Sequence, residues 1–277
     1  LDTFFTDEKT TVQLFLDERA DGDFAVLEGV MGLYDGLGGI YEQGSSYHLA
    51  KVTQTPIILV VDAKGMGKSV LALIAGFLQY DTQHLIKGVL LNRMSKGYYD
   101  IIKPLIEKEL SVKVVGYFPE QKDIRLESRH LGLVMPDELS DIKKQLNETA
   151  DRLKKTIDMD LFIDIAEAAD EISDSENADV YNEKNIGNCD QNEFSQNKAI
   201  NTVNIAVAMD EAFCFYYEDN LRLLEKCGAK LQYFSPLHDT RLPKDCDAML
   251  LGGGYPELYA KELSKNVSML NAIKKAF

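Results

Sequence analysis

Pro56-Ile57-Ile58-Leu59-Val60-Val61-Asp62, running into Ala63-Lys64-Gly65-Met66-Gly67-Lys68-Ser69, is the stretch that decides the fold. An unbroken Ile/Leu/Val run of this length reads as a strand buried on both faces, the pattern of a parallel sheet. Two glycines turn the chain, and Ser69 to Tyr80 follows as an apolar helix. The same rhythm continues downstream. Gly88-Val89-Leu90-Leu91-Asn92 is a strand, a helix follows near Tyr99 to Glu109, and Val112 to Tyr117 is another strand. Upstream, Asp23-Phe24-Ala25-Val26-Leu27 reads as a strand entering a glycine-rich loop. Strands alternating with helices give an α/β fold with a parallel sheet covered on both faces.

Asp141 to Ala169 reads as helical. Residues 173–202 are rich in Asp, Glu, Asn and Ser and poor in large apolar side chains. Such a segment buries too little surface to offset its ordering entropy, and it is expected to be an interdomain linker or a disordered loop. From Val203 the strand–helix alternation restarts. Asn204 to Met209 is a strand, Asn220 to Cys227 a helix ended by Gly228, and Lys230 to Phe234 a strand. Ala248-Met249-Leu250-Leu251 then opens into Gly252-Gly253-Gly254. The organisation expected is a domain over residues 1–172, an acidic linker over 173–202 and a partial domain over 203–277. Leu1 is not an initiator Met and Phe277 lies in or just after a helix, so more chain is expected on each side.

Charge and composition narrow the function classes. The 277 residues carry a formal net charge of −15. Between Ile157 and Asn197 stand twelve Asp or Glu and one Lys, so most of that charge is local. The balance makes nucleic acid a poor partner but leaves room for a local anion site elsewhere. No run of about eighteen apolar residues offers a membrane span. The four cysteines, Cys189, Cys214, Cys227 and Cys246, have no zinc-type spacing and read as reduced thiols of a cytoplasmic protein. Cys214, among aromatics, is expected to be buried rather than nucleophilic.

Several segments carry groups suited to chemistry. In Leu27-Glu28-Gly29-Val30-Met31-Gly32-Leu33-Tyr34-Asp35-Gly36, a strand ends in a carboxylate and a glycine-rich loop brings a second one. Loops at strand carboxyl ends form ligand crevices in such sheets, and one or two carboxylates beside phosphate oxygens suit Mg²⁺. The alternative is a turn with two solvated acids. Gly67-Lys68-Ser69 looks like a phosphate-binding loop, but that rule needs a glycine where Asp62 stands. A tight strand–helix connection is expected instead. Asn92 closes a strand and either reads a base edge or caps a turn. Arg129 and His130 lie in Glu127-Ser128-Arg129-His130, where a carboxylate clamp competes with a local salt bridge. Gly252-Gly253-Gly254 after a strand offers backbone N–H groups to an oxyanion.

Taken together, EGVMGLYDG (Glu28 to Gly36), LVVDAKGMGKS (Leu59 to Ser69), LNR (Leu91 to Arg93), ESRHLGL (Glu127 to Leu133), DEAFCFYYEDNL (Asp210 to Leu221) and GGGYPEL (Gly252 to Leu258) resemble the glutamine-dependent cobyrinic acid a,c-diamide synthases, in the same order. The resemblance covers nearly all of the chain except the acidic linker. It implies a dethiobiotin synthetase-like domain of P-loop NTPase type, followed by the first part of a class I glutamine amidotransferase-like α/β domain. The activity implied is ATP- and glutamine-dependent amidation of two acetate carboxylates of a corrinoid through acyl phosphates.

By the same resemblance Glu28 is the Mg²⁺ ligand and Asp35 a second acid of phosphoryl transfer. Asn92 contacts adenine, and Ser45, Ser46, Arg129 and His130 face the corrinoid. Gly253 and Gly254 belong to the glutaminase oxyanion hole. ATP, Mg²⁺, glutamine and a tetrapyrrole are the implied ligands, and a homo-oligomer is compatible. The family's phosphate loop would lie upstream of Leu1 and its nucleophilic cysteine beyond Phe277, so these 277 residues by themselves are expected to catalyse neither half-reaction. A nickel-sirohydrochlorin a,c-diamide synthase and a nucleotide-binding module without ligase activity are the alternatives.

Overall fold

Leu91 and Val89 of strand β2 (Ile86–Asn92) are fully buried, and this strand is the spine of the first sheet. A computed structural model describes residues 1–19, 22–121, 128–129, 132–133, 142–170, 172 and 202–276. It divides the chain into two units, Leu1–Ile186 and Gly187–Phe277.

In the first unit β1 (Ile57–Asp62) and β3 (Lys113–Phe118) flank β2, all parallel, in the order β1-β2-β3. The connections are helices α3 (Ser69–Tyr80) and α4 (Lys96–Leu110). Val70, Leu71 and Ile74 of α3 and Ile102 and Ile106 of α4 close on Leu59, Val61, Val89, Leu91 and Val114 to make the core. Before the sheet come α1 (Glu8–Arg19) and α2 (Ser46–Val52); after it come the short antiparallel pair β4 (Ser128–Arg129) and β5 (Gly132–Leu133), then α5 (Ile142–Thr156) and α6 (Met159–Glu167).

Three expectations change here. The segment 23–27 joins no ladder among the described residues, and Val26 is 75% exposed. A strand exists only through a partner's hydrogen bonds, and among the described residues nothing pairs with the outer edge of β1. Second, β1 is not buried on both faces: Leu59 and Val61 point into the core while Val60 is 59% exposed. Third, the helix expected over Asp141 to Ala169 is two helices. Asp158 caps α6, accepting from Leu161 N at 3.1 Å, and its own N–H reaches the Val115 carbonyl at 2.8 Å. The break brings Ile157 against Gly116, whose φ is +156° and where a Cβ would stand 2.4 Å from the Thr156 oxygen. Only glycine fits there.

The second unit is a parallel sheet in the order β7-β6-β8, from β6 (Val203–Ala208), β7 (Ala229–Phe234) and β8 (Ala248–Leu250). Helix α7 (Glu218–Lys226) joins β6 to β7; α8 (Ala260–Lys265) and α9 (Val267–Ala276) follow β8. Ala206, Ala208, Phe234 and Met269 form its buried core, with Phe213, Met249 and Ile273 against them. Cys214 is half-buried rather than buried. The segment 173–201, with Cys189, lies outside the described residues. Among the described residues no helix is long and apolar enough to cross a membrane.

Candidate functional site

Each unit carries its chemistry-bearing side chains in loops at the carboxyl ends of parallel strands or beside a strand edge. In the first unit a cleft of about 580 Å³ runs along β1, lined by Leu27, Glu28, Gly29, Ser46, Leu59 and Val60 among others. Glu28 and Asp35 are exposed, and their carboxylates make no hydrogen bond among the described residues. Gly29 lies against α2, where a Cβ would sit 2.8 Å from the Ser46 hydroxyl. The structure therefore brings Glu28 and Ser46 to one cleft. Asp35 closes a turn onto Gly32, with Asp35 N donating to the Gly32 carbonyl at 2.9 Å.

Ser45 has a different place. It is buried and caps α2, accepting from His48 N at 3.0 Å. That bond satisfies one of the orphan donors of the helix start, so the hydroxyl serves the fold. His48 in turn contacts Thr3 at 3.0 Å and Glu8 at 3.3 Å, tying α1 to α2.

What holds α2 beside the cleft is a buried polar knot. The Tyr47 hydroxyl donates to Asp81 Oδ1 at 2.9 Å, and Asp81 also accepts from Leu85 N at 2.9 Å and Ile86 N at 2.7 Å. Tyr34 stacks on Phe77 and donates to its carbonyl at 2.8 Å. Burial pushes the Tyr34 phenol well above its ordinary range, with Asp81 adding to the effect. None of these residues was picked out by sequence reading.

At the carboxyl ends of β1 and β2, Asp62 and Asn92 stand side by side in register. Asn92 Oδ1 accepts from Arg93 N at 2.9 Å, and Arg93 takes a left-handed φ of +56°. The turn-capping use of Asn92 is therefore present, and its amide nitrogen makes no hydrogen bond among the described residues. The Arg93 guanidinium grips Asp62 through both oxygens, with Nε to Oδ1 at 2.7 Å. This fork holds the Asp62 carboxyl below the usual carboxylate range. Lys64 pairs with Glu120, and Lys68 with Glu109 at 3.2 Å. The loop after β1 thus uses Asp62 as an ion-pair partner where a phosphate loop would use glycine. Arg129 lies in β4, its side chain outside the described residues, and His130 lies outside them entirely.

In the second unit, loops after all three strands carry an interlocking set of bonds. Asp210, just past β6, accepts from Ala212 N at 2.9 Å and Phe213 N at 3.1 Å. Its other oxygen takes the Ser235 hydroxyl at 2.8 Å and Leu237 N at 2.9 Å, from the loop after β7. Glu211 meets His238 Nε2 at 2.9 Å on the surface. The three-glycine loop after β8 is pinned by Gly252 N to the Tyr216 hydroxyl at 2.8 Å, Phe215 N to the Gly253 carbonyl at 2.9 Å, and Tyr255 N to the Ala212 carbonyl at 3.0 Å. Phe215 and Gly253 face each other as an antiparallel bridge, which turns the Gly253 N–H toward the Phe215 carbonyl, and none of these bonds uses the N–H of Gly254. Gly254 has φ +154°, and a Cβ there would stand 2.2 Å from the Ala212 oxygen. Sequence reading found the glycines but neither Tyr216, which holds Gly252, nor Asp210, which ties the loops after β6 and β7; an Asp two residues past a strand is the one signal available for the latter.

Residues 204–277 match the model of the CobB/CobQ-like glutamine amidotransferase domain. A cobyrinate a,c-diamide synthase of Caldanaerobacter subterraneus subsp. tengcongensis is 39% identical over 277 residues, all of this chain and 57% of its own length. The enzymes of that name from Clostridium tetani and Methanococcus vannielii are 38% and 36% identical over 99% of this chain, which covers 57% and 59% of them. The chain thus spans somewhat over half the length of these curated relatives. No solved structure matches it. Along nearly its whole length the chain is similar to these cobyrinate a,c-diamide synthases.

Proposed function

We propose that the protein amidates the a- and c-acetate carboxylates of cobyrinic acid, using ATP to activate each carboxylate and glutamine as the source of nitrogen. The observation that carries this reading is the pairing, in one chain, of an acid-bearing cleft beside a parallel sheet with a glutamine amidotransferase-type unit. Its near-full-length identity to enzymes of that name supports the substrate.

A carboxylate oxygen is a poor leaving group and phosphate a good one, so transfer of a phosphoryl group to the acetate prepares it for attack by ammonia. Glu28 fits Mg²⁺: an exposed carboxylate on the cleft, unspent on hydrogen bonds among the described residues, is a donor this ion takes beside phosphate oxygens and water, and Asp35 is the second acid of phosphoryl transfer. Bound there, Mg²⁺ would neutralise charge on the transferring phosphoryl group. Asn92 offers its amide nitrogen to the nucleobase, and Ser46 its hydroxyl to the corrinoid side of the cleft. In the second unit the Gly253-Gly254 loop offers the Gly254 N–H to the oxyanion formed as the glutamine amide is opened, with Gly253 held against Phe215. The P-loop NTPase type of the first unit is part of the same proposal.

The test is turnover by the intact protein. Cobyrinate, ATP, Mg²⁺ and glutamine should give the a,c-diamide with one phosphate released per amide. Diamide formation on nickel-sirohydrochlorin but not on cobyrinate, or ATP binding without any amidation, would overturn the proposal.

A further inference from the structure

We infer that Tyr216 is a positioning residue of the glutaminase site, its phenol helping to set the direction in which Gly254 presents its N–H. The inference rests on the oxyanion reading of that loop given above.

The phenol spans two strand ends. It donates to the carbonyl of Ala208, the last residue of β6, and accepts the N–H of Gly252, just past β8, at 2.8 Å. Its ring lies directly under the loop: a Cβ on Gly252 would stand 2.4 Å from the ring carbon that bears the hydroxyl. The missing side chain at Gly252 and the tyrosine are thus one fitted pair. The ring is half-buried, and the hydroxyl has both its donor and an acceptor position committed to backbone. Beyond Gly252 the loop is held again where Tyr255 N meets the Ala212 carbonyl at 3.0 Å, with the buried Tyr255 ring edge-on to Phe215 at 5.0 Å. Gly253 and Gly254 lie between these two clamps, and Gly253 is also bridged to Phe215, the neighbour of Tyr216 in the chain. The Tyr255 clamp and the Phe215 bridge are backbone pairing. The third tie is a single side-chain hydroxyl, and it is the one that can be removed without disturbing the ring packing.

An oxyanion donor works only when aimed at the place where charge develops, so a donor rotated by a loosened loop loses transition-state stabilisation while ground-state binding of glutamine persists. Tyr216→Phe in the intact protein is the test. The glutamine-dependent kcat should fall by about ten- to a hundredfold, a part of the loss that follows complete removal of such a donor. The KM for glutamine should stay within about twofold, and amidation supported by free ammonia should be unchanged. Gly252→Ala, which keeps the phenol but pushes the ring away, should give the same signature; agreement of the two guards against a simple folding defect in either.

A glutamine-dependent kcat within about twofold of the wild type in Tyr216→Phe would overturn the inference, as would an equal loss of ammonia-supported amidation. Gly254→Ala, whose Cβ would stand 2.2 Å from the Ala212 oxygen and so displaces the Gly254 N–H, separates the two layers. Loss of glutaminase there with full activity in Tyr216→Phe removes only the role of the tyrosine. Full activity in Gly254→Ala removes the oxyanion reading and this inference with it.

Discussion

Replacing Tyr47 by phenylalanine removes a hydroxyl from the buried knot that holds α2 beside the cleft. Tyr47 is fully buried and Asp81 is 3% exposed. The lost bonds are the one to Asp81 Oδ1 at 2.9 Å and the one accepted from Gln83 N at 3.2 Å. A hydrogen bond to a carboxyl group contributes about 1.5–3 kcal/mol. Asp81 keeps Leu85 N and Ile86 N after the change, so it is not orphaned and the lower part of that range applies. The expected loss is about 2 kcal/mol in the stability of the first unit, or about 4–8 °C in its melting temperature. Asp81→Ala strands the tyrosine hydroxyl and two backbone N–H groups at the start of β2 and should cost more, about 3 kcal/mol or above. Urea unfolding followed by circular dichroism measures both. A loss under about 0.5 kcal/mol for Tyr47→Phe, or an Asp81→Ala variant as stable as Tyr47→Phe, would refute the reasoning.

Two further outcomes follow from the same geometry. Ser45→Ala removes the cap of α2 and should cost about 1 kcal/mol in the same unfolding assay; restoration by Ser45→Asp, another good cap, separates capping from substrate contact. The Arg93 fork lowers the Asp62 carboxyl in the folded state, so its stabilisation is present above the ordinary carboxylate range and is lost as pH falls through the depressed value; Asp62→Asn should be less stable than wild type near neutrality and equally stable in strong acid, read from acid-to-neutral unfolding series.

Much of the fold is legible where a long apolar run meets a clear stop. The helix over Ser69 to Tyr80 has the limits the sequence suggests, and the strands after Pro56, Gly88 and Val203 lie within a residue or two of their expected places. Runs of this kind decide their own structure because burial outweighs local propensity. The segment 23–27 has the same apolar character and joins no ladder among the described residues, because a strand is a property of a pair. The break at Asp158 was readable in principle as a helix cap, but the polar-and-apolar pattern on either side runs through it. In the site, residue types were legible and their supports were not. Glu28, Asp35 and the three glycines announce themselves by kind. Tyr47 meets Asp81 across 34 positions, Ser235 meets Asp210 across 25 and Gly252 meets Tyr216 across 36, separations at which no local pattern speaks.

The most direct measurement is the split of half-reactions in Glu28→Gln of the intact protein. Glu28 is exposed in the cleft and makes no hydrogen bond among the described residues, so the change leaves the fold untouched and alters only a charge. ATP-dependent amide formation should fall by two orders of magnitude or more, while hydrolysis of glutamine to glutamate continues at the wild-type rate. Undiminished amidation in that variant would contradict the assignment of metal-assisted phosphoryl transfer to this cleft.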